Sequence, residues 1–144
     1  MPDLEQAIYT KLSATAGITQ YVGMRIRPNG AEQADDWRVA PYLVYTTISE
    51  APVDHLTGYC NLTSAVVQFD AFAASYLDAK AIAKALKAAL RDLRNVTVTG
   101  AGITTDLRDV HIVGQRDLSE PAGDGSSQYV YRTSTDVSIN YREN

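Results

Sequence analysis

The sequence is poor in the residues from which small proteins build chemical centres. Of 144 residues, one is cysteine and two are histidine. A lone Cys60 permits no intrachain disulfide. Together with His55 and His111 it also falls short of a four-ligand His/Cys zinc site drawn from one chain. A site completed by carboxylates stays open. Basic residues are the minority: thirteen Lys and Arg against seventeen Asp and Glu leave a formal net charge of −4. That balance argues against a broad basic face gripping nucleic acid. Long apolar runs are missing too. No stretch approaches the roughly 18–20 consecutive apolar residues of a membrane span. Met1-Pro2-Asp3-Leu4-Glu5 places acid where a signal peptide places base. Synthesis in the cytoplasm, with no membrane partner, is therefore expected. What is present is an ordinary 45% of hydrophobic residues, enough for a folded chain with a core. The length suits one domain, residues 1–144.

Apolar periodicity sets out the elements. Leu4, Ala7, Ile8 and Leu12 recur at helical spacing, predicting a short N-terminal helix from Asp3 to Thr15, with Asp3 as cap and Gly17 as stop. Met24 to Arg27 reads as a short strand ending at the turn Pro28-Asn29-Gly30. Ala31 to Ala40 is polar and reads as a surface loop. Tyr42 to Ile48 is a strand rich in β-branched and aromatic residues. Glu50 to Gly58 reads as a loop or hairpin arm, and Tyr59 to Ala73 as a long strand. Ser75 to Arg94 is an amphipathic helix. Ala79, Ile82, Ala83, Leu86, Ala89, Leu90 and Leu93 make its apolar face, and Lys80, Lys84, Lys87 and Arg91 a basic stripe opposite. A short strand at Val96–Thr99 and another between Val110 and Leu118 precede a turn around Pro121. In the last strand Tyr129, Tyr131, Thr133, Thr135, Val137, Ile139 and Tyr141 point one way, and Arg132, Ser134, Asp136, Ser138 and Asn140 the other. The expected class is α+β: a single antiparallel-rich sheet with one long helix packed across it and a short N-terminal helix.

Motifs with a chemical mechanism are scarce. Gly100-Ala101-Gly102 lacks the third glycine of a dinucleotide fingerprint and reads as a turn. Gly123-Asp124-Gly125-Ser126-Ser127 lacks the phosphate-loop lysine. Asp106, Asp109, His111 and Asp117 could in principle hold Mg²⁺ or Mn²⁺ for phosphodiester hydrolysis. On a regular strand Asp109, His111 and Asp117 share one face. Interleaved Arg108 and Arg116 balance the acids, so a solvated charged strand is preferred, with no catalytic, metal or cofactor site and no enzyme activity expected. The basic stripe reads as the hydrated back of its helix. Nine tyrosines against two phenylalanines and one tryptophan suit strands and surfaces that meet partners.

The order of certain phrases carries more than any one of them. Leu4-Glu5-Gln6-Ala7-Ile8-Tyr9 leads through Leu12-Ser13, Gly17-Ile18-Thr19 and Val22-Gly23 to Arg25-Ile26. Pro41-Tyr42-Leu43-Val44-Tyr45 follows with Ile48-Ser49. Val67-Gln68-Phe69-Asp70 runs through Phe72-Ala73 to Tyr76 and Asp78-Ala79. Arg116-Asp117-Leu118-Ser119-Glu120-Pro121 precedes a strand ending Tyr141-Arg142-Glu143. This succession, over nearly the whole chain, resembles the tail-completion or tail-terminator proteins of long-tailed bacteriophages. The resemblance implies a virion protein of the tail and neck, made in the host cytoplasm. It further implies a homo-oligomeric ring, typically a hexamer, that caps the tail-tube protein and joins it to the head-side connector. Double-stranded DNA would pass through the lumen without specific binding. The contacts expected on this reading are the arm, with Pro52, Val53, Asp54, His55, Leu56, Thr57 and Tyr59, and the edge and tail of the last strand, with Tyr141 and Arg142. A head-completion or adaptor protein nearer the portal is the alternative within phages. The metal-dependent phosphodiesterase is a remote one.

Overall fold

The computed structural model describes residues 3–30, 38–55, 58–100, 102–121 and 128–143. Its helices are α1 (Asp3–Ser13), α2 (Ala16–Val22) and α3 (Tyr76–Arg91). Its strands are β1 (Ile26–Pro28), β2 (Tyr42–His55), β3 (Gly58–Ala73), β4 (Val96–Gly100), β5 (Ile103–Asp117), β6 (Glu120–Pro121) and β7 (Tyr129–Glu143). They run β1-β2-β3-β7-β5-β4 across one sheet, with β6 a short appendage of β7. β1 is parallel to β2, and every other pair is antiparallel.

These elements correct the expected α+β architecture. The chain is mostly β, with 53% of residues in strands on a curled half-barrel sheet and three short helices. No single long helix packs across the sheet, and relative length explains why. β3 has 16 residues, and β5 and β7 have 15 each. At ~3.3 Å per residue such strands reach about 50 Å. α3 also has 16 residues, but at ~1.5 Å per residue it reaches only about 24 Å. It therefore lies over β7, β3 and β5 at one end of the sheet. α1 fills the curl at the other end. There the Tyr45 hydroxyl donates to the Glu5 carbonyl at 3.1 Å, and Thr47 Oγ1 donates to Glu5 Oε1 at 2.8 Å. On the far side α1 meets β4 so closely that a Cβ on Gly100 would collide with the Thr10 side chain. The helix thus bridges the two ends of the curled sheet.

The core follows from alternation. Leu43 and Tyr45 on β2, Val67, Phe69 and Ala71 on β3, and Val137, Ile139 and Tyr141 on β7 are all buried against the helices. The register places Tyr45 beside Phe69 and Val67 beside Val137. From α3, Ile82, Leu86 and Leu90 enter the same core, each stabilising the fold by roughly 1.5–3 kcal/mol through burial. Ser75 takes the N-cap position with extended backbone, though its side chain makes no capping hydrogen bond. Gly17 does not stop α1; it sits inside α2. The helices separate at Ala14 and Thr15, and the glycine that ends one is Gly23, at φ 58°.

β5 does not alternate as a regular strand would. The pairing with β7 slips between Leu107 and Asp109 and again between Ile112 and Gly114. Each bulge inserts one residue and exchanges the faces that follow. Thr105, Leu107 and Val110 consequently all turn inward despite their uneven spacing.

Candidate functional site

β3 pairs with β7 from Ala73 down to Thr63, opposite Tyr141. Pairing with β2 continues further, through Val53↔Leu62, Asp54↔Tyr59 and His55↔Gly58. The segment between Val53 and Leu62 is therefore a two-stranded arm that continues past the point where β3 ceases to pair with β7. Pro52, at its base, is exposed. Val53, Asp54, His55 and Tyr59 lie on the arm by their backbone positions, while Leu56 and Thr57 fall outside the described residues.

The expected edge at the chain's end is not one. β7 lies between β3 and β5, with Tyr141 opposite Thr63 on one side and Leu107 on the other. Tyr141 is 1% exposed and belongs to the core, and its hydroxyl donates to Glu50 Oε1 at 3.2 Å. Arg142 is half-buried and paired with Asp106 on β5. The exposed-edge placement of Tyr141 and Arg142 is thereby corrected: the last strand spends its hydrogen bonds on both neighbours.

The four residues considered for metal are not brought together. Asp106 accepts from Thr97 Oγ1 at 2.7 Å, Asp109 faces Arg94 at 3.6 Å, and Asp117 pairs with Lys80 at 3.3 Å and Tyr76 at 3.1 Å. The bulge at Val113 turns Asp117 to the helix side, opposite to Asp109 and His111. Among the described residues no three His, Cys, Asp or Glu side chains form a group able to hold a metal.

Open hydrogen-bonding capacity lies elsewhere, on two strand edges that the sequence pattern did not single out. β1 covers β2 only over Leu43–Tyr45, with one further bond from the Asn29 N–H to the Tyr45 carbonyl at 2.8 Å. From Thr46 onward the outer edge of β2 has no strand partner among the described residues. β4 covers β5 only from Ile103 to Leu107. Past Val110, whose carbonyl accepts from Arg94 Nε at 3.2 Å, β5 is likewise open through Asp117 among the described residues. Each edge carries a bulge that exposes a branched apolar side chain: Ile48 on β2, 54% exposed, and Val113 on β5, 61% exposed. The only sequence signal for these edges is the shortness of β1 and β4.

The surroundings of the two edges differ in charge. A cavity of about 380 Å³ at the β2 edge is lined by Glu5, Asn29, Thr47 and Glu50. Glu5 Oε2 is buried there without a hydrogen-bond partner. Burial first, then the neighbouring Glu5 and Tyr9, push the Tyr45 hydroxyl well above the usual tyrosine range. Beside β5 a groove of about 530 Å³ runs along α3, lined by Lys80, Lys84, Lys87, Arg91 and Gln115.

A β-rich half-barrel in which Asp106, Asp109 and Asp117 are engaged within the fold, and in which two strand edges are open among the described residues, has the construction of a structural subunit for assembly. No helix among the described residues is long and apolar enough to cross a membrane. The chain belongs to the family described as Tail completion protein gp17, which it matches over residues 6–137. It is thus a structural protein of the bacteriophage virion tail. No curated protein matches its sequence. Among solved structures it is similar in fold to a chain of the virion of a native gene transfer agent particle, at 16% identity and a TM-score of 0.65, over 97% of this chain and 95% of that one. A second similarity is to the type 4 fimbrial biogenesis protein PilO from Pseudomonas aeruginosa, at 15% identity over 69% of this chain and 57% of that one. Its TM-score of 0.28 is too low to bear on the fold.

Proposed function

We propose that the protein forms a ring of identical subunits that caps the finished tail tube and joins it to the head-side connector, leaving a lumen for double-stranded DNA. The observation that carries this reading, beside the family, is the two-stranded arm from Val53 to Leu62. An isolated two-stranded hairpin is marginally stable in water, so an arm that has left its pairing with β7 gains from a surface to lie on. The tube end is that surface. The net charge of −4 supports the passage of DNA, since a channel that bound phosphates broadly would retain them.

Deleting Val53 to Thr57 tests the arm. Among the described residues the core cluster lies outside the deleted segment, and a thermal melt of the shortened subunit checks that it folds. Capping of tail tubes, scored by negative-stain microscopy, is lost. A shortened protein that caps tubes normally refutes the role of the arm.

A further inference from the structure

We propose that the unpaired edge of β2 in one copy docks on the unpaired edge of β5, and on the basic groove of α3 beside it, in the next copy. This rests on the ring reading and names the contact that builds the ring. The two edges lie on opposite sides of the same sheet. An exposed strand edge is a template for another strand, and two different patches meeting head to tail make a heterologous interface, which closes into a ring when its rotation allows.

Charge selects this pairing over the alternatives. Lys84, Lys87 and Arg91 line the α3 groove and form no ion pair among the described residues. The β2 segment from Thr46 to His55 contains Glu50 and Asp54 and no Lys or Arg. Below it sits Glu5, with one carboxylate oxygen buried and unpartnered. Thr47 pairs with inward-facing Val67, and Glu50 with inward-facing Ala65, so Glu5, Thr47 and Glu50 share the helix-bearing side of the sheet. α3 lies on that same side. Pairing β2 with β2 would set Glu50 near Glu50, and pairing β5 with β5 would oppose two lysine stripes. Both are penalised by like charge. β2 against β5 brings acid to base, and each edge adds one exposed apolar residue, Ile48 or Val113. The basic stripe then serves the neighbouring subunit, which reconciles it with an acidic chain through which DNA must slide.

The test uses two variants of the full chain, Lys84→Glu/Lys87→Glu and Glu50→Lys, with thermal melts confirming that each subunit folds. Native mass and negative stain are then recorded with and without tail tubes. Alone, each variant repels itself, and its subunit dissociation constant rises by about tenfold or more, equivalent to ~1.4 kcal/mol or more. Mixed in equal amounts they alternate, every contact pairs acid with base, and rings return. Variants that assemble alone as well as the wild type, or a mixture that stays apart, overturn the edge assignment while leaving the ring intact. A wild-type protein that never forms rings, on tubes or off them, overturns the ring reading and this contact with it.

Discussion

Replacing Tyr141 separates a core role from a surface role most cleanly. Its side chain is 1% exposed, sits on a strand hydrogen-bonded on both sides and belongs to the main hydrophobic cluster. Truncating a large buried aromatic residue to alanine costs roughly 3–5 kcal/mol through lost transfer energy and the cavity left behind. In a domain of this size each kcal/mol lowers the melting temperature by roughly 3 °C, so Tyr141→Ala melts about 9–15 °C below the wild type. Tyr141→Phe keeps the ring and loses the hydrogen bond to Glu50. Because Glu50 is exposed and regains water, the loss falls at the low end of the usual ~0.5–1.5 kcal/mol, about 2 °C. The assay is calorimetry or circular dichroism on the isolated subunit. If Tyr141→Ala melts with the wild type and fails only in assembly, the residue is a surface contact and the placement of β7 inside the sheet is wrong.

Two further outcomes follow from the packing. Gly100→Ala drives a Cβ into the Thr10 side chain where α1 meets β4, so it destabilises the fold by about 1–3 kcal/mol, as overpacking does; Thr10→Ala combined with it, which removes the colliding γ-oxygen, recovers part of the loss, and a neutral Gly100→Ala in a urea melt would contradict the close approach. Tyr45 stays protonated in the folded subunit well above the usual range, whereas the unfolded chain ionises near pH ~10. Below pH ~10 both states hold the proton; above it the unfolded state holds fewer, so stability falls as pH rises, by at most ~1.4 kcal/mol per unit for this group. Tyr45→Phe flattens that alkaline decline, and identical slopes for the two proteins would remove Tyr45 as its source.

What the sequence revealed depended on where its periodicity stayed unbroken. The apolar face of α3, from Ala79 to Leu90, was legible because nothing interrupts its helical spacing, and all of those residues are buried. β7 was legible for the same reason: Thr133 to Tyr141 alternate without a bulge. β5 was not, because its two bulges exchange faces twice; simple parity put Asp117 with Asp109 and His111, and the structure separates them. The balance of sheet to helix was misjudged because β2 runs on through Glu50, Ala51 and Pro52, residues that individually disfavour strands and are held there by pairing with β3. A residue's neighbours across a sheet are invisible in a single sequence, which is why Tyr141 read as an end and proved to be a centre. The open edges of β2 and β5 depend on the same long-range register.

Native mass across a concentration series, with and without tail-tube protein and with the same samples imaged in negative stain, tests the central claim most directly. Rings of one discrete mass, in solution or seated on tube ends, are the expected result. A monomer at every concentration that leaves tube ends bare would contradict it.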